Sequence, residues 1–579
     1  MNGDSHQHKR TWWKEALIYQ IYPSSFYDSN GDGLGDIPGI ISKLDYLKEL
    51  GVDAIWLNPH YSSPQCDMGY DISDYRDIYP PYGTLDDCFK FIEECHKRDI
   101  KVLFDLVINH CSDEHKWFKE SRSSLDNPKR NWFMWRKPKG FTDDGKPIPP
   151  NNWRAAFGGS VWEWDEGTQE YYLHLFAVGQ PDFNWEEEEV RKALYEEAIT
   201  FWLERGVDGF RIDTCNIYSK NLDFPDAPVL DPSATYQRSD TLWTNGPRLM
   251  EFLKEMNKET FSKYDAVAIG EWPNTPDITK VLEVVSAEAK VVDMVFQFDH
   301  VCMDFGKVYR FWPREWKLSE FKGYIDQYQK VVDKTDGWQT TYLENHDQAR
   351  SVSRYCSDAP EYRVNSGKLL CIFLMSMTGS TFVYQGQEIG TINLPMSIGR
   401  EEYLDCETTG FWKDMDDYYP NDEEAHEKGR RGAQLNARDH GRFPVQWDSS
   451  RNGGFTTAEK PWMIANPAYT EINVAAQIDD PNSVLSFYKK MIKFRKEKKD
   501  LMIYGSFRLL DLENDQTMIY IKEHGDSQAV IVLNFTKEQV AFKLPAELKG
   551  EAKLAISNYK NSSLETLEAY EGRVYLVNA

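Results

Sequence analysis

Eight short runs rich in β-branched and aromatic residues recur along the chain, each followed by a longer segment of helical period. They fall at 17–22, 54–58, 101–108, 209–213, 266–271, 294–298, 340–344 and 381–384. Such alternation builds βα units around a parallel sheet. Eight of them suit an α/β fold of the (β/α)8 TIM barrel type better than an open sheet. The first crossover is punctuated as a helix: Pro38 near its start, Ile40, Leu44 and Leu47 on one face, Gly51 to end it.

Two intervals break the barrel rhythm. About a hundred residues separate the third run from the fourth, and their first part is dense in Trp, Pro, Gly and Asn. A structureless loop of that length is implausible, so residues 111–177 read as a small inserted domain over the barrel mouth. The barrel is then split into 1–110 and 178–500. The second interval, 395–450, is polar and reads as irregular. From 501 to 579 the pattern becomes short strands with turns, a C-terminal β domain.

Acidic residues outnumber basic ones by 93 to 67, a formal charge of −26, which disfavours nucleic acid or an anionic membrane as partner. The first twenty residues lack the apolar core of a secretion signal, and no run approaches the ~20 apolar residues that span a bilayer. Nine cysteines without C-x-x-C spacing suit reduced, buried thiols. The expectation is a soluble, cytoplasmic monomer, and the sequons at Asn534 and Asn561 are chance matches.

Three acids stand at the ends of runs: Asp213 ends GFRID, Glu271 ends VAIGE and Asp347 closes YLENHD. In a barrel, strand ends converge on one site. Arg211 and Asp213 share a face of their strand, and a guanidinium beside a carboxylate favours the ionised form a nucleophile needs. Two carboxyls of unequal acidity are the apparatus of glycoside cleavage, one attacking the anomeric carbon and one protonating the leaving oxygen. His110 and His346 end two further runs and could donate to sugar hydroxyls. Each acid alone is more often a helix cap or a surface charge; their joint placement on separate strands points to catalysis.

Longer motifs carry a resemblance: WWKEALIYQIYPSSF (12–26), DSNGDGLGD (28–36), DMGYDISDY (67–75), DLVINHCSDEHKWF (105–118), QPDFNW (180–185), GFRIDT (209–214), IGEW (269–272), ENHDQAR (344–350) and YQGQEIG (384–390). In that order they resemble the α-glucosidase branch (maltases and oligo-1,6-glucosidases) of the α-amylase superfamily, the yeast and fungal enzymes above all. The resemblance implies Asp213 as the nucleophile of a retaining reaction, Glu271 as acid/base, and Asp347 as the third acid that grips sugar hydroxyls. It implies a pocket for the terminal glucose lined by Asp67, Tyr70, His110, Phe157, Phe176, Gln180, Arg211, Thr214, His346 and Arg442. Arg442 with Asp67 would clamp that sugar and Tyr70 would stack on it. A closed pocket implies exo-action on short α-glucosides, with no organic cofactor.

The loop 28–36 alternates oxygen side chains with glycines and lacks the closing Glu of an EF-hand. By resemblance it is a structural Ca²⁺ site using Asp28, Asn30, Asp32, the Leu34 carbonyl and Asp36. In this family valine after the nucleophile accompanies α-1,6 preference and threonine or alanine α-1,4, so Thr214 favours maltose, and sucrose as well. The chain departs from relatives at Trp272-Pro273-Asn274-Thr275 after the acid/base, and at Gly441-Arg442-Phe443-Pro444, where Ala-Arg-Thr-Pro is usual. The alternatives are an isomaltase, a sugar isomerase, and a non-catalytic interaction protein of the same fold. The last would show a membrane helix and degraded acids. The cysteine nearest the nucleophile is Cys215, whose exposure a thiol reagent would test.

Overall fold

Each apolar run becomes a buried strand in the computed structural model, which describes residues 8–578 apart from Lys290 and Lys334. The strands are β1 (Leu17–Ile21), β2 (Ala54–Leu57), β3 (Lys101–Leu106), β4 (Gly209–Ile212), β5 (Val267–Glu271), β6 (Met294–Phe296), β7 (Thr340–Thr341) and β8 (Ser380–Tyr384). They pair in parallel in the order β6-β5-β4-β3-β2-β1-β8-β7. No backbone ladder joins β6 to β7 among the described residues. Side chains bridge that seam, with Thr340 Oγ1 donating to the Val295 carbonyl at 3.1 Å and the Tyr342 hydroxyl to that of Gln297 at 2.8 Å. The fold is the expected α/β barrel.

Inward-facing aromatics fill the barrel. Phe296 of β6 lies 5.6 Å from Trp56 of β2 and 4.6 Å from Phe382 of β8, ring centre to ring centre. This apolar floor lies beneath the polar groups at the strands' C-terminal ends. The first crossover helix is two short helices, Ile37–Ser42 and Leu44–Leu50, broken at Lys43. Asp36 caps the first by accepting from Gly39 N–H, and Gly51 ends the second in a left-handed conformation (φ 99°) that glycine adopts freely.

The interval expected as a small domain, 111–177, carries a three-stranded antiparallel sheet of Trp135–Arg136, Glu170–Leu173 and Trp162–Asp165. Its tryptophans have a packing role: Trp153, Trp162 and Tyr171 form a separate core that also buries Ile217, Phe224 and Ala227 from the segment after β4. The stretch 395–450 differs from its reading as irregular. It contains the helices Cys406–Tyr418, Glu423–Asn436 and Asp439–Arg442. Phe411, Trp412 and Met415 bury one face of the first, and Gly429, Gly432 and Ala433 let the second approach closely. The polar sequence conceals the second of these helices above all, because its buried face is built largely from small residues.

Beyond 501 the first strand begins at Ser506. Five antiparallel strands, β9 (Ser506–Leu509), β10 (Thr517–His524), β11 (Ser527–Asn534), β12 (Glu551–Ser557) and β13 (Gly572–Asn578), pair in the order β9-β10-β11-β13-β12. Asn534 is buried, with Nδ2 donating to the Glu538 and Glu568 carbonyls at 2.8 Å, which closes that sequon to a glycan. No helix among the described residues is long and apolar enough to cross a membrane.

The C-terminal sheet is fastened to the barrel by a buried lysine. Lys322, on helix Leu318–Val332, donates to the carbonyls of Asn514 (2.6 Å), Thr517 (3.1 Å) and Asp511 in the β9–β10 turn. Lys322→Met should strand those acceptors and cost about 1–3 kcal/mol. A lowered calorimetric midpoint with unchanged KM is expected; an unchanged midpoint would show that the sheet is held elsewhere.

Candidate active site

Parallel register assembles the first part of the site. Arg211 on β4 lies opposite Asp105 on β3, and both point into the barrel. Asp213 follows β4 directly, and Glu271 is the last residue of β5. The Arg211 guanidinium meets all three acids: Nη1 donates to Asp213 Oδ1 at 2.6 Å and Asp105 Oδ1 at 3.0 Å, and Nη2 lies 2.8 Å from Glu271 Oε1. It rests over the Trp56 ring at 5.2 Å. Asp105 also accepts from Trp56 Nε1 (3.1 Å) and the Tyr70 hydroxyl (3.0 Å). Sequence reasoning quoted Asp105 within a motif without giving it a role. Its signal was an acid inside an otherwise apolar strand.

Thr214 joins Asp213 to Glu271. Its backbone is left-handed (φ 43°, ψ 40°), a strained state for a β-branched residue. That geometry aims its N–H at Glu271 Oε2 (2.9 Å), while its hydroxyl donates to Asp213 Oδ2 (3.2 Å).

Asp347 arrives differently. β7 ends at Thr341, so the acid sits on the following loop and not at a strand edge as expected. Its Oδ1 accepts from Arg438 Nη1 and Arg442 Nη2, both at 3.0 Å, and its Oδ2 lies 3.1 Å from His346 Nε2. Gln20 Nε2 donates to His346 Nδ1 (2.8 Å), leaving the proton on Nε2 toward Asp347 and the Tyr70 hydroxyl (2.7 Å). The Tyr70 ring lies parallel to His346 with centroids 5.2 Å apart, so one of its faces is already covered.

The expected clamp is corrected by the structure. The guanidinium that meets Asp67 belongs to Arg438, with Nη2 3.2 Å from Asp67 Oδ1. Arg442 is fully buried beneath it, bonded to Asp405 Oδ2 (2.7 Å), the His346 carbonyl (2.9 Å) and Asp347. Asp405 also takes Arg438 Nε (2.9 Å) and Nη2 (2.8 Å), and caps helix Cys406–Tyr418. Arg438 and Asp405 were missed because they lie in the stretch read as irregular. The only cue was a second arginine four residues before Arg442.

The remaining expected residues converge. Gln180 Nε2 is 3.1 Å from Asp67 Oδ2, the Tyr70 carbonyl and His110 Nε2. Phe176 lies 5.1 Å from His110 and 5.8 Å from Phe157, and Arg438 covers Phe157 at 4.8 Å. Cys215 is fully buried. The pocket cysteine is Cys406, whose thiol donates to Asp67 Oδ1 at 3.1 Å.

Burial sets the protonation pattern. It pushes Glu271 up to about 8, with Asp213 and Asp347 adding repulsion that Arg211 only partly offsets. Asp213 rises less, to about 6, because the pull of Arg211 opposes burial more fully. Burial alone would also raise Asp347, but His346, Arg438 and Arg442 outweigh it and hold the carboxyl far below its usual range. Burial keeps His346 and His110 neutral, as hydrogen-bonding groups. The set is an ionised Asp213, a protonated Glu271 and a permanently ionised Asp347, the kind of unequal carboxyls that glycoside cleavage uses.

The loop 28–36 offers oxygen-only donors, the chemistry of a hard cation. As folded, its acids are turned to the backbone. Asp28 accepts from the N–H groups of Asn30 (3.0 Å), Gly31 (2.7 Å) and Gly33 (2.8 Å), Asp32 from Leu34 (2.9 Å), and Asp36 from Ser29 (2.9 Å) and Gly39 (2.6 Å). The three carboxylates do not converge on one point; the one such convergence among the described residues is Asp67, Asp405 and Cys406. Arg438 is bonded to all three of those, so that cluster holds a guanidinium.

Known proteins match this geometry. The model of the alpha-amylase catalytic domain matches residues 20–505. The alpha-glucosidase of Schizosaccharomyces pombe is 46% identical, over 97% of this chain and 97% of its own. Oligo-1,6-glucosidase IMA5 of Saccharomyces cerevisiae is 46% identical, over 98% and 99%. The crystal structure of isomaltulose synthase from Erwinia rhapontici NX5 superposes with a TM-score of 0.91 at 37% identity, over 99% and 100%. Barrel, acids and inserted lobe together make the chain a member of the α-amylase family.

Proposed function

We propose that the protein is a retaining exo-α-glucosidase that releases terminal glucose from α-1,4 substrates such as maltose and short oligosaccharides, and from sucrose. The observation that carries this reading is Arg211 holding Asp213 and Glu271 on its two terminal nitrogens, at 2.6 and 2.8 Å. One guanidinium bonded to both carboxyls gathers them at a single site, which favours the short separation of double displacement over the wider gap that inversion leaves for a water. Glu271 protonates the glycosidic oxygen as the bond to the anomeric carbon breaks. Asp213 attacks that carbon from the opposite side and forms a covalent glucosyl ester. Glu271, now ionised, takes a proton from the entering water, which displaces Asp213 and restores the starting configuration.

Asp347, permanently ionised, accepts from hydroxyls of the terminal sugar. Asp67, Arg438 and Phe157 close the far end of the pocket, which supports exo-action. The intact acids argue against a non-catalytic role. The nine unpaired cysteines support a reduced, cytoplasmic setting, and we propose a monomer.

Bond preference rests on Thr214. Glucose release from equimolar maltose, isomaltose, sucrose and trehalose, with NMR of the products, tests the reading. Maltose should turn over fastest, giving α-glucose first. Fast isomaltose cleavage with slow maltose cleavage would move the specificity to Trp272–Thr275, and isomerised disaccharide as main product would make this an isomerase. Thr214→Val removes the hydroxyl on Asp213 Oδ2 and should raise the isomaltose-to-maltose rate ratio severalfold, within the ~1–3 kcal/mol such contacts provide.

The pH profile of kcat/KM follows from the two carboxyls. Activity should fall below about 6, where the nucleophile takes up a proton, and above about 8, where the acid loses its own. Glu271→Gln should abolish the alkaline limb for aryl glucosides that need no protonation; persistence of that limb would assign it to another group.

Calcium is proposed as a structural ion on the donor chemistry of Asp28, Asn30, Asp32, the Leu34 carbonyl and Asp36. Binding would exchange backbone N–H partners for the ion. A thermal midpoint raised by millimolar calcium and lowered by chelator, lost in Asp32→Ala, is expected. An unchanged midpoint would leave the loop held by its own turns.

A further inference from the structure

The pocket wall that carries Phe157 is held by an ion pair with no part in the chemistry above. Phe157 lies in a tight turn of the inserted lobe, closed by Gly158 N–H donating to the Ala155 carbonyl (3.1 Å) and Ala155 N–H to that of Gly159 (3.0 Å). Beside the turn, Arg154 donates through Nε (2.9 Å) and Nη2 (2.6 Å) to Asp414 Oδ2. Their side chains are only 16% and 5% exposed, so each charge depends on the other. Arg154 lies 4.9 Å over Tyr309, and among the described residues no other acid is bonded to it.

Asp414 belongs to helix Cys406–Tyr418, and turn and helix meet backbone to backbone. A Cβ on Gly410 would fall 1.8 Å from the Phe157 carbonyl oxygen, and one on Gly158 3.3 Å from the Asp414 carboxylate. The start of this helix holds the sugar clamp, through Asp405 on Arg438 and Cys406 on Asp67. Two turns later it holds the Phe157 turn. One rigid element therefore carries both the clamp and the Phe157 turn, whose ring Arg438 covers at 4.8 Å.

We propose that Arg154 and Asp414 are positioning residues for the pocket: their ion pair docks the Phe157 turn on helix Cys406–Tyr418 and so holds Phe157 against the clamp that closes the pocket around one terminal sugar. Neither touches reacting atoms. The proposal deepens the α-glucosidase reading and rests on it. When the pair is broken, the inserted lobe separates from the helix, while Asp213, Glu271 and Arg211 stay where the barrel strands put them.

The test is steady-state kinetics of Arg154→Met, Asp414→Asn, the double variant and Arg154→Lys on maltose and maltotetraose, with thermal midpoints measured alongside. Each charge-removing variant should raise KM for maltose roughly tenfold with kcat within about threefold, since the pair orients substrate without entering the chemistry. The maltotetraose-to-maltose ratio of kcat/KM should rise as the wall loosens. The double variant should be no worse than either single, and Arg154→Lys should lie between wild type and Arg154→Met. A loss confined to kcat, additive effects, or unchanged KM in all variants overturns the proposal. If Asp414→Asn does not fold, the Arg154→Lys and Arg154→Met comparison decides on the same KM criterion. Wild-type enzyme inactive on an aryl α-glucoside would instead remove the α-glucosidase reading itself.

Discussion

One buried guanidinium organises the chemistry. Arg211 stands among Asp105, Asp213 and Glu271 at the mouth of the barrel, over the indole of Trp56. A few ångströms away Arg438 and Arg442 serve Asp67, Asp347 and Asp405. Six carboxyls face three guanidiniums, so full ionisation would leave three uncompensated negative charges in a buried site. Such a cluster retains a proton, and retains it where the cation's pull is weakest against burial. That place is Glu271, the group proposed as the proton donor. The same surplus of negative charge suits a transition state with positive character at the anomeric carbon.

Chemistry and selectivity are built from different parts of the chain. Asp105, Arg211, Asp213 and Glu271 come from adjacent strands whose register is set by backbone ladders, the most rigid scaffold available. Phe157 and Phe176 come from the inserted lobe, Gln180 from the segment just after it, and Arg438, Asp405 and Cys406 from the helical stretch after β8. These excursions meet one another where Arg438 covers Phe157 and where Arg154 pairs with Asp414.

Much of this was legible residue by residue. The barrel could be read because parallel strands buried on both faces are short apolar runs, and Asp213 and Glu271 because acids closing such runs are conspicuous. Asp347 was found by its motif, although its strand is two residues long and the loop, not the strand, delivers it. Arg442 was taken as the partner of Asp67, and Arg438 holds that position. Arg438 precedes and Arg442 ends the short helix Asp439–Arg442, so the two arginines differ by one turn, and only packing decides which faces the cavity and which lies beneath it. The helices of 395–450 were unreadable for a related reason: their buried faces include glycine and alanine, which carry little hydrophobic signal.

The sequence by itself determined the alternation of elements, the acids that close β4 and β5, and the family whose ordered motifs they share. These are local facts, written in periodicity and in what stands at each strand's end. Only the tertiary structure decided which arginine grips Asp67, that Asp405 supports both arginines while capping a helix, and that Arg154 and Asp414 join two segments 260 positions apart in the chain. It also decided which carboxyl keeps its proton. That depends on burial and on the distances among charges from six separate segments, and no local pattern encodes a distance between segments.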